Sequence, residues 1–310
     1  MRPKEAERAQ ALKDRLSEYH GRTGLLVGIE PNGYLDCLVE QLVESRRRIE
    51  FVHHLRDSAH SPRRLDPGDP MFDPLRAAVL HARKGDLEEA HWLVFLATHF
   101  GKHARDGWRL TADIYGRLGD GGRWDWKSIT ADPPAFRAWL AAHQAQLAGR
   151  RFSNHRKFES LRAASARGTA IVMESYIAWV MGFGGHVAMV RALHKQVGQN
   201  PLAVFDALYR SMDAVQRFGR LARFDFLTML GKLGLSPIEP GSAYLWHNAS
   251  GPLRGARLLY TGAVNGSLSA RALDAKLEEL DQHLQVGMQT MEDALCNWQK
   301  SPAKFISFRG

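Results

Sequence analysis

The sequence predicts an all-α protein, and three observations carry the prediction. No segment alternates apolar and polar residues in the way a half-buried strand does. Apolar residues instead recur three and four apart, as with Leu35, Leu38, Val39, Leu42 and Val43. Proline and glycine punctuate the chain at helical spacing, with Pro133 and Pro201 at starts and Gly182, Gly184 and Gly185 at an end.

Residues 4–19 read as a charged, exposed helix ending near Gly21. Pro31, Asn32 and Gly33 precede an amphipathic helix that runs into Arg46, Arg47 and Arg48. Three adjacent arginines point in three directions, so they form either a solvated helix end or a binding patch. Residues 57–74, rich in Pro, Asp, Ser, Arg and Gly, form a long loop or hinge. Helices follow at 74–84, 86–100 and 105–118, then a glycine break at 119–122 and a helix from Pro133 to about 148. His99 and His103 share a helical spacing, but Gly101 intervenes and no third metal ligand is suitably spaced. Lys102 beside that glycine is a candidate phosphate contact. The basic stretch 151–167 is a connector or a solvated helix, and residues 169–181 are apolar enough for a buried helix. Helices at 186–197, 201–217 and 219–233 come next. Finally, Leu273, Leu277, Leu280, Leu284, Met288, Met291, Leu295 and Trp298 mark the core stripe of one helix reaching Lys300, about 45 Å long, with Gly287 a candidate bend. No internal repeat is visible. The chain divides into an N-terminal helical region, 1–84, and a helical domain, 85–310, or forms one continuous domain with two helical layers.

The totals narrow the partners. Lys and Arg number 42 against 33 Asp and Glu, a net charge of +9, which suits a polyanion. No run is long and apolar enough to span a bilayer. The charged N-terminus does not read as a secretory signal, and Cys37 and Cys296 form no metal-type pair, so a reduced, cytoplasmic chain is expected. The residues imply neither metal nor cofactor, and no obligate protein partner.

The densest chemistry lies in residues 217–260. Gly251 and Pro252 are expected to break the backbone before a helix carrying Arg254, Gly255 and Arg257. A glycine turn that opens a helix presents N–H groups to phosphate oxygens, and the arginines add charge there. The alternative is a plain helix–helix corner with solvated arginines. Upstream, Arg217, Arg220 and Arg223 are further phosphate candidates. Asp225 lies among apolar residues with no cation three or four positions away, so it needs a partner from elsewhere or a proton. Asp293, Asn297 and Lys300 fall in register on one helix face, as either a surface set or the wall of a site.

Three blocks, FGRLARFDFLTMLGKLGL, HNASGPLRGARLLYTG and MEDALCNWQKSPAKFISFRG, resemble the α-glutamyl/putrescinyl thymine pyrophosphorylase family, clade 3, over roughly residues 85–310. That family is similar to helix-hairpin-helix DNA glycosylases, and some relatives look like antiviral glycosylases acting on bulky modified phage bases. The resemblance implies a helix-hairpin-helix architecture with the hairpin at Gly251, Pro252, Arg254 and Gly255. Such enzymes place a catalytic aspartate some twenty residues after the hairpin glycine. Asp274 has that spacing but sits in a leucine-rich helix without a supporting motif.

Glycosidic cleavage builds positive charge on the sugar, which a fixed carboxylate stabilises while it orients water. Asp225 and Asp293 are the leading candidates, with Glu292 and Glu239 behind them. Lys300 is a possible amine nucleophile for a lyase. The extruded base needs a pocket, for which Tyr244, Trp246, His247, Asn248 and Trp298 are candidates. The expected function is excision of a hypermodified pyrimidine, glucosylated hydroxymethylcytosine for example, from double-stranded phage DNA. A transferase that displaces pyrophosphate from an activated hydroxymethylpyrimidine is the second reading, and a non-catalytic DNA-binding module the third.

Overall fold

The structure, a computed structural model, describes residues 3–247 and 249–307, with the backbone alone for residues 3 and 4. The all-α expectation holds: among the described residues there is no strand, only an isolated bridge between His103 and Gly107. No single helix there is long and apolar enough to cross a membrane.

The chain forms two compact units, Met1–His53 with Pro240–Arg309, and His54–Glu239. In chain order the helices are α1 (Pro3–Thr23), α2 (Tyr34–Asp57), α3 (Pro74–Arg83), α4 (Leu87–Phe100), α5 (Arg109–Tyr115), α6 (Trp126–Ala131) and α7 (Pro133–Ala142). They continue as α8 (Thr169–Met181), α9 (His186–Val197), α10 (Pro201–Ser211), α11 (Arg220–Lys232), α12 (Ser250–Thr261), α13 (Ala270–Leu284) and α14 (Met288–Trp298). Side-chain caps set many of these starts. The Asp73, Asp86, Asp125, Asp132, Asn200 and Ser269 side chains each accept from a backbone N–H in the first turn. Prolines at 74, 133 and 201 occupy first helical positions, where the missing N–H costs nothing.

In the first unit the core joins Leu12 and Leu16 of α1, Leu38 and Leu42 of α2, Leu273 and Leu277 of α13, and Leu295 and Trp298 of α14. The expected single helix to Lys300 is two helices. Gln285 adopts a left-handed conformation (φ 54°), and Asp281 Oδ1 accepts from the Val286 and Gly287 N–H groups at 2.9 Å each. That carboxylate ends α13, and Gly287 at φ 85° lets α14 leave in a new direction. One leucine stripe therefore serves two helices.

The second unit is built on aromatic rings. Phe95 of α4 stacks on Tyr176 of α8 with centroids 3.5 Å apart, and Trp92 and Phe226 pack around them. Helix α8 is buried, as its composition predicts. The 57–74 loop is tied down: Arg63 makes two bonds to Asp69 (2.7 and 3.2 Å), and Arg64 donates to Met71 O. The helix expected at 105–118 shrinks to α5, because the 103–107 bridge takes its first turn. The one expected to reach 148 stops at Ala142. Residues 151–167 contain only one short 3₁₀ turn, Asn154–Arg156.

Candidate functional site

Two groups of predicted residues come together, one in each unit. In the second unit, the corner between α10 and α11 is a tight hairpin. After Ser211 the chain makes a 3₁₀ turn, Met212–Ala214, and reaches Arg217, which sits in the left-handed region at φ 61°. Only glycine takes that conformation without cost, so a basic residue held there is notable. Gly219 then opens α11 with no side-chain cap, and Arg220 is its first residue. The first N–H groups of such a helix point out of its end. Arg220 lies over the Phe224 ring at 4.9 Å. Arg223 serves the fold: its Nε donates to Phe218 O at 2.7 Å, it pairs with Asp213, and its side chain is 13% exposed.

Asp225 finds the partner that its own helix lacks. Arg156 Nη2 donates to Asp225 Oδ2 at 3.0 Å, while Arg156 Nε donates to Thr98 O at 2.9 Å. Arg156 is 9% exposed and Asp225 40%. Even so, desolvation raises the Asp225 carboxyl above its usual range, outweighing the pull of Arg156, His155, Lys232 and Arg220. Solvent reaches this carboxylate, but protein mass surrounds it. Glu239 is exposed, its N–H reaching Pro201 O at 3.4 Å, and is the last residue before the chain re-enters the first unit. Lys102 is exposed just past α4. His99 and His103 do not face one metal. His99 is 2% exposed, bonded to Thr169 Oγ1 at 3.1 Å, with its pKa pushed down to about 3 by burial. His103 Nδ1 accepts from the Asp106 N–H at 3.2 Å.

In the first unit, the expected break at Gly251 and Pro252 is absent. Both lie within the first turn of α12, which runs unbroken to Thr261. A Cβ on Gly255 would strike the Leu295 carbonyl of α14, and one on Gly251 would lie 2.5 Å from Cys296 Sγ. A Cβ on Gly28 would meet the Leu258 carbonyl on α12. These glycines let helix backbones touch, and Gly255 is buried. Residues 251–255 are thus a packing seam, and the phosphate-gripping turn expected there is corrected. Arg254 is exposed, and Arg257 is half-buried with its Nε lacking a hydrogen-bond partner. The twenty-residue spacing from this seam also leads nowhere. Asp274 is 5% exposed and accepts from Ser242 Oγ (2.9 Å) and Leu245 N (2.8 Å), closing the loop before α12. Burial moves its carboxyl up to about 6.

The register set on α14 is real. Asp293 accepts from Ser45, from Arg48 Nη1 at 3.0 Å and from Asn297 Nδ2 at 3.1 Å, and Asn297 Oδ1 accepts from Lys300 Nζ at 2.9 Å. A hydroxyl, a guanidinium and an amide around one carboxylate make a structural clasp between α2 and α14. Glu292 is 7% exposed beside it. Trp298 is fully buried, donating Nε1 to Tyr34 O at 3.1 Å, and Tyr244 is 2% exposed, so neither ring is open to a base. Trp246 and His247 are half-buried with rings 3.6 Å apart, and Arg271 lies over Trp246 at 5.6 Å. Asn248 lies outside the described residues.

Sequence reasoning put a helix boundary between residues 217 and 219 and named the arginines there, but ran the preceding helix to 217 and so missed the turn that begins at Met212. The signal was the string VQRFGR, which places a glycine just before a helix and a basic residue two positions earlier, but no glycine marks the left-handed position itself. Counting twenty residues from Gly219 reaches Glu239.

Among known proteins, no curated sequence and no solved structure matches the chain. One family model does, described as alpha-glutamyl/putrescinyl thymine pyrophosphorylase clade 3, over residues 34–310.

Proposed function

Because the chain belongs to the alpha-glutamyl/putrescinyl thymine pyrophosphorylase clade 3 family, we propose that it acts on a modified pyrimidine in duplex DNA as a glycosylase. The observation that carries this reading is the α10–α11 hairpin: left-handed Arg217, uncapped Gly219 and Arg220 at the head of α11, with the carboxylate of Glu239 twenty residues beyond the glycine. A helix end flanked by arginines fits a DNA phosphate through backbone N–H groups and charge together. The net charge of +9 favours the same partner.

In this mechanism the hairpin holds the strand beside the damaged or modified nucleotide while the base leaves the stack. Glu239 orients a water molecule and takes its proton as the glycosidic bond opens, and its charge offsets the positive charge growing on the sugar. Asp225, fixed by Arg156, adds a second negative charge in the same unit. Lys300 is held by Asn297, so no amine attack on the sugar is assigned and the product is an intact abasic strand. The target implied by the family resemblance is a bulky phage-type pyrimidine such as glucosylated hydroxymethylcytosine, and the role antiviral.

The word pyrophosphorylase in the family description favours a second reading, displacement of pyrophosphate from an activated hydroxymethylpyrimidine with the glycosidic bond left intact. One assay separates them. Modified phage DNA incubated with the protein is analysed by mass spectrometry: free modified base with abasic sites supports excision, and an altered base still attached to the strand supports transfer.

A further inference from the structure

The basic segment between α7 and α8 carries a turn whose tip the fold fixes from both sides. The Glu159 N–H donates to Arg156 O at 2.9 Å, closing a four-residue turn with Lys157 and Phe158 at its tip. Ahead of the tip, Ser153 N donates to Phe100 O at 3.0 Å and Arg156 Nε to Thr98 O at 2.9 Å, while the Phe152 ring meets His99 edge-on at 5.8 Å. These contacts strap the segment to the end of α4. Past the tip, Thr169 N donates to Ser160 O at 2.7 Å and ties the other side to the start of α8. A turn held at both feet presents its tip in one direction.

Phe158, at that tip, is 84% exposed, the most exposed large apolar side chain among the described residues. A lone exposed apolar ring needs no explanation by itself, but this one has a particular setting. Arg156, two residues back, holds Asp225, and His155 also bears on that carboxyl. Glu159, the next residue, is half-buried; burial raises its carboxyl, and Arg217 of the α10–α11 hairpin and Arg156 oppose the rise. The tip is thus adjacent both to a candidate carboxylate and to the left-handed arginine of the hairpin.

A nucleotide that swings out of a duplex leaves a gap in the stack, and the base returns unless something occupies it. Apolar side chains, phenylalanine among them, enter base steps in this way. We propose that Phe158 is a positioning residue that enters the duplex at the point of extrusion and fills the gap the base leaves. It rests on the DNA reading above only through the extruded base. The ring's surroundings favour a polyanion over an apolar protein surface. Lys157 Nζ lies 5.3 Å over the ring, and His155 and Arg162 are exposed nearby in sequence. Neither Lys157 nor Arg162 has a carboxylate partner among the described residues. These cations accompany the ring to the phosphates that flank the opened step.

The test is fluorescence anisotropy of the full chain with two duplexes of one sequence, one intact and one carrying a tetrahydrofuran abasic-site analogue, which offers the gap ready-made. Stacking one ring on a base contributes about fivefold or more in affinity. Wild type should therefore prefer the analogue duplex by at least about fivefold. Phe158→Ala should erase that preference, and Phe158→Leu, which keeps an apolar wedge, should retain most of it. Phe51→Ala removes another exposed phenylalanine, 58% exposed on α2, and should leave the preference intact. A 2-aminopurine beside the analogue should change its fluorescence on binding wild type and not on binding Phe158→Ala. No preference in wild type, or a preference that survives in Phe158→Ala, overturns the proposal. So does a Phe158→Ala chain that keeps its preference but loses a self-association seen in wild type by sedimentation, which assigns the ring to a contact between copies. Circular dichroism of each variant confirms that the fold is kept. Base release is measured separately: release without the Phe158 effect removes this proposal alone, and the Phe158 effect without release removes the excision reading alone.

Discussion

Gly255→Ala separates a packing seam from a phosphate-gripping turn, because the two roles predict opposite effects on stability. The new Cβ would collide with the Leu295 carbonyl oxygen and lie 2.7 Å from its carbon and 2.9 Å from the Leu295 Cβ. Two of those three atoms are backbone of α14, so no rotamer change relieves the clash and α12 must back away. Restoring ordinary contact needs a shift on the order of 1 Å, and overpacking of that kind costs about 1–3 kcal/mol. Against this, alanine in a helix interior gains about 1 kcal/mol over glycine. With three atoms of Leu295 inside 3 Å the steric cost falls in the upper part of that range, and the expected net loss is up to about 2 kcal/mol. Gly251→Ala should lose less, since its nearest neighbour, 2.5 Å away, is the end of the Cys296 side chain. Arg254→Ala, on the exposed face of the same helix, should stay within about 0.5 kcal/mol of wild type. Urea unfolding followed by far-UV circular dichroism measures all three. A phosphate-gripping turn predicts Gly255→Ala as stable as wild type or more so, with weakened DNA binding. That result would refute the seam.

Other consequences follow from the hairpin and the buried groups. Arg217→Gly removes a left-handed non-glycine residue (φ 61°), so it should gain up to about 1 kcal/mol in stability, while DNA affinity falls and the salt dependence loses about one unit of slope. Fluorescence anisotropy at several salt concentrations, beside urea unfolding, checks both halves. Asp274 titrates near 6 in the folded protein against an ordinary value of 3.8, so the folded state holds its proton more tightly. Relative to Asp274→Asn, wild-type stability should therefore fall by about 3 kcal/mol as pH rises from about 4 to 6, then level off, in urea titrations across that range. Borohydride treatment of reacting enzyme and DNA should trap no covalent adduct, since Lys300 is engaged by Asn297; a trapped adduct lost in Lys300→Ala would reverse that assignment.

Much of the fold was legible because it rests on local chemistry. Apolar spacing revealed α2 and α8, and proline placement fixed the starts of α7 and α10. Gly287 marked a bend, but the complete break between α13 and α14 was not legible, because an aspartate within the helix captures the N–H groups that would continue it while the leucine stripe runs on unchanged. At the site, the isolation of Asp225 in its helix correctly implied a partner from elsewhere, and Arg156 is that partner. The glycine pattern misled at 251–255. Glycine is demanded both by turns and by close helix contacts, and only the position of Leu295 tells which. The turn between α10 and α11 was hidden for the converse reason, with arginine at the left-handed position where glycine would have announced a turn.

The most direct test is to quantify free modified base released from glucosylated-hydroxymethylcytosine DNA by wild type and by Glu239→Gln, Asp225→Asn and Asp293→Asn, with DNA binding measured alongside. The account predicts release by wild type, a loss of at least about a hundredfold in Glu239→Gln with binding retained, a smaller loss in Asp225→Asn, and an Asp293→Asn effect that tracks its stability. Release that persists in Glu239→Gln and disappears in Asp293→Asn would contradict it.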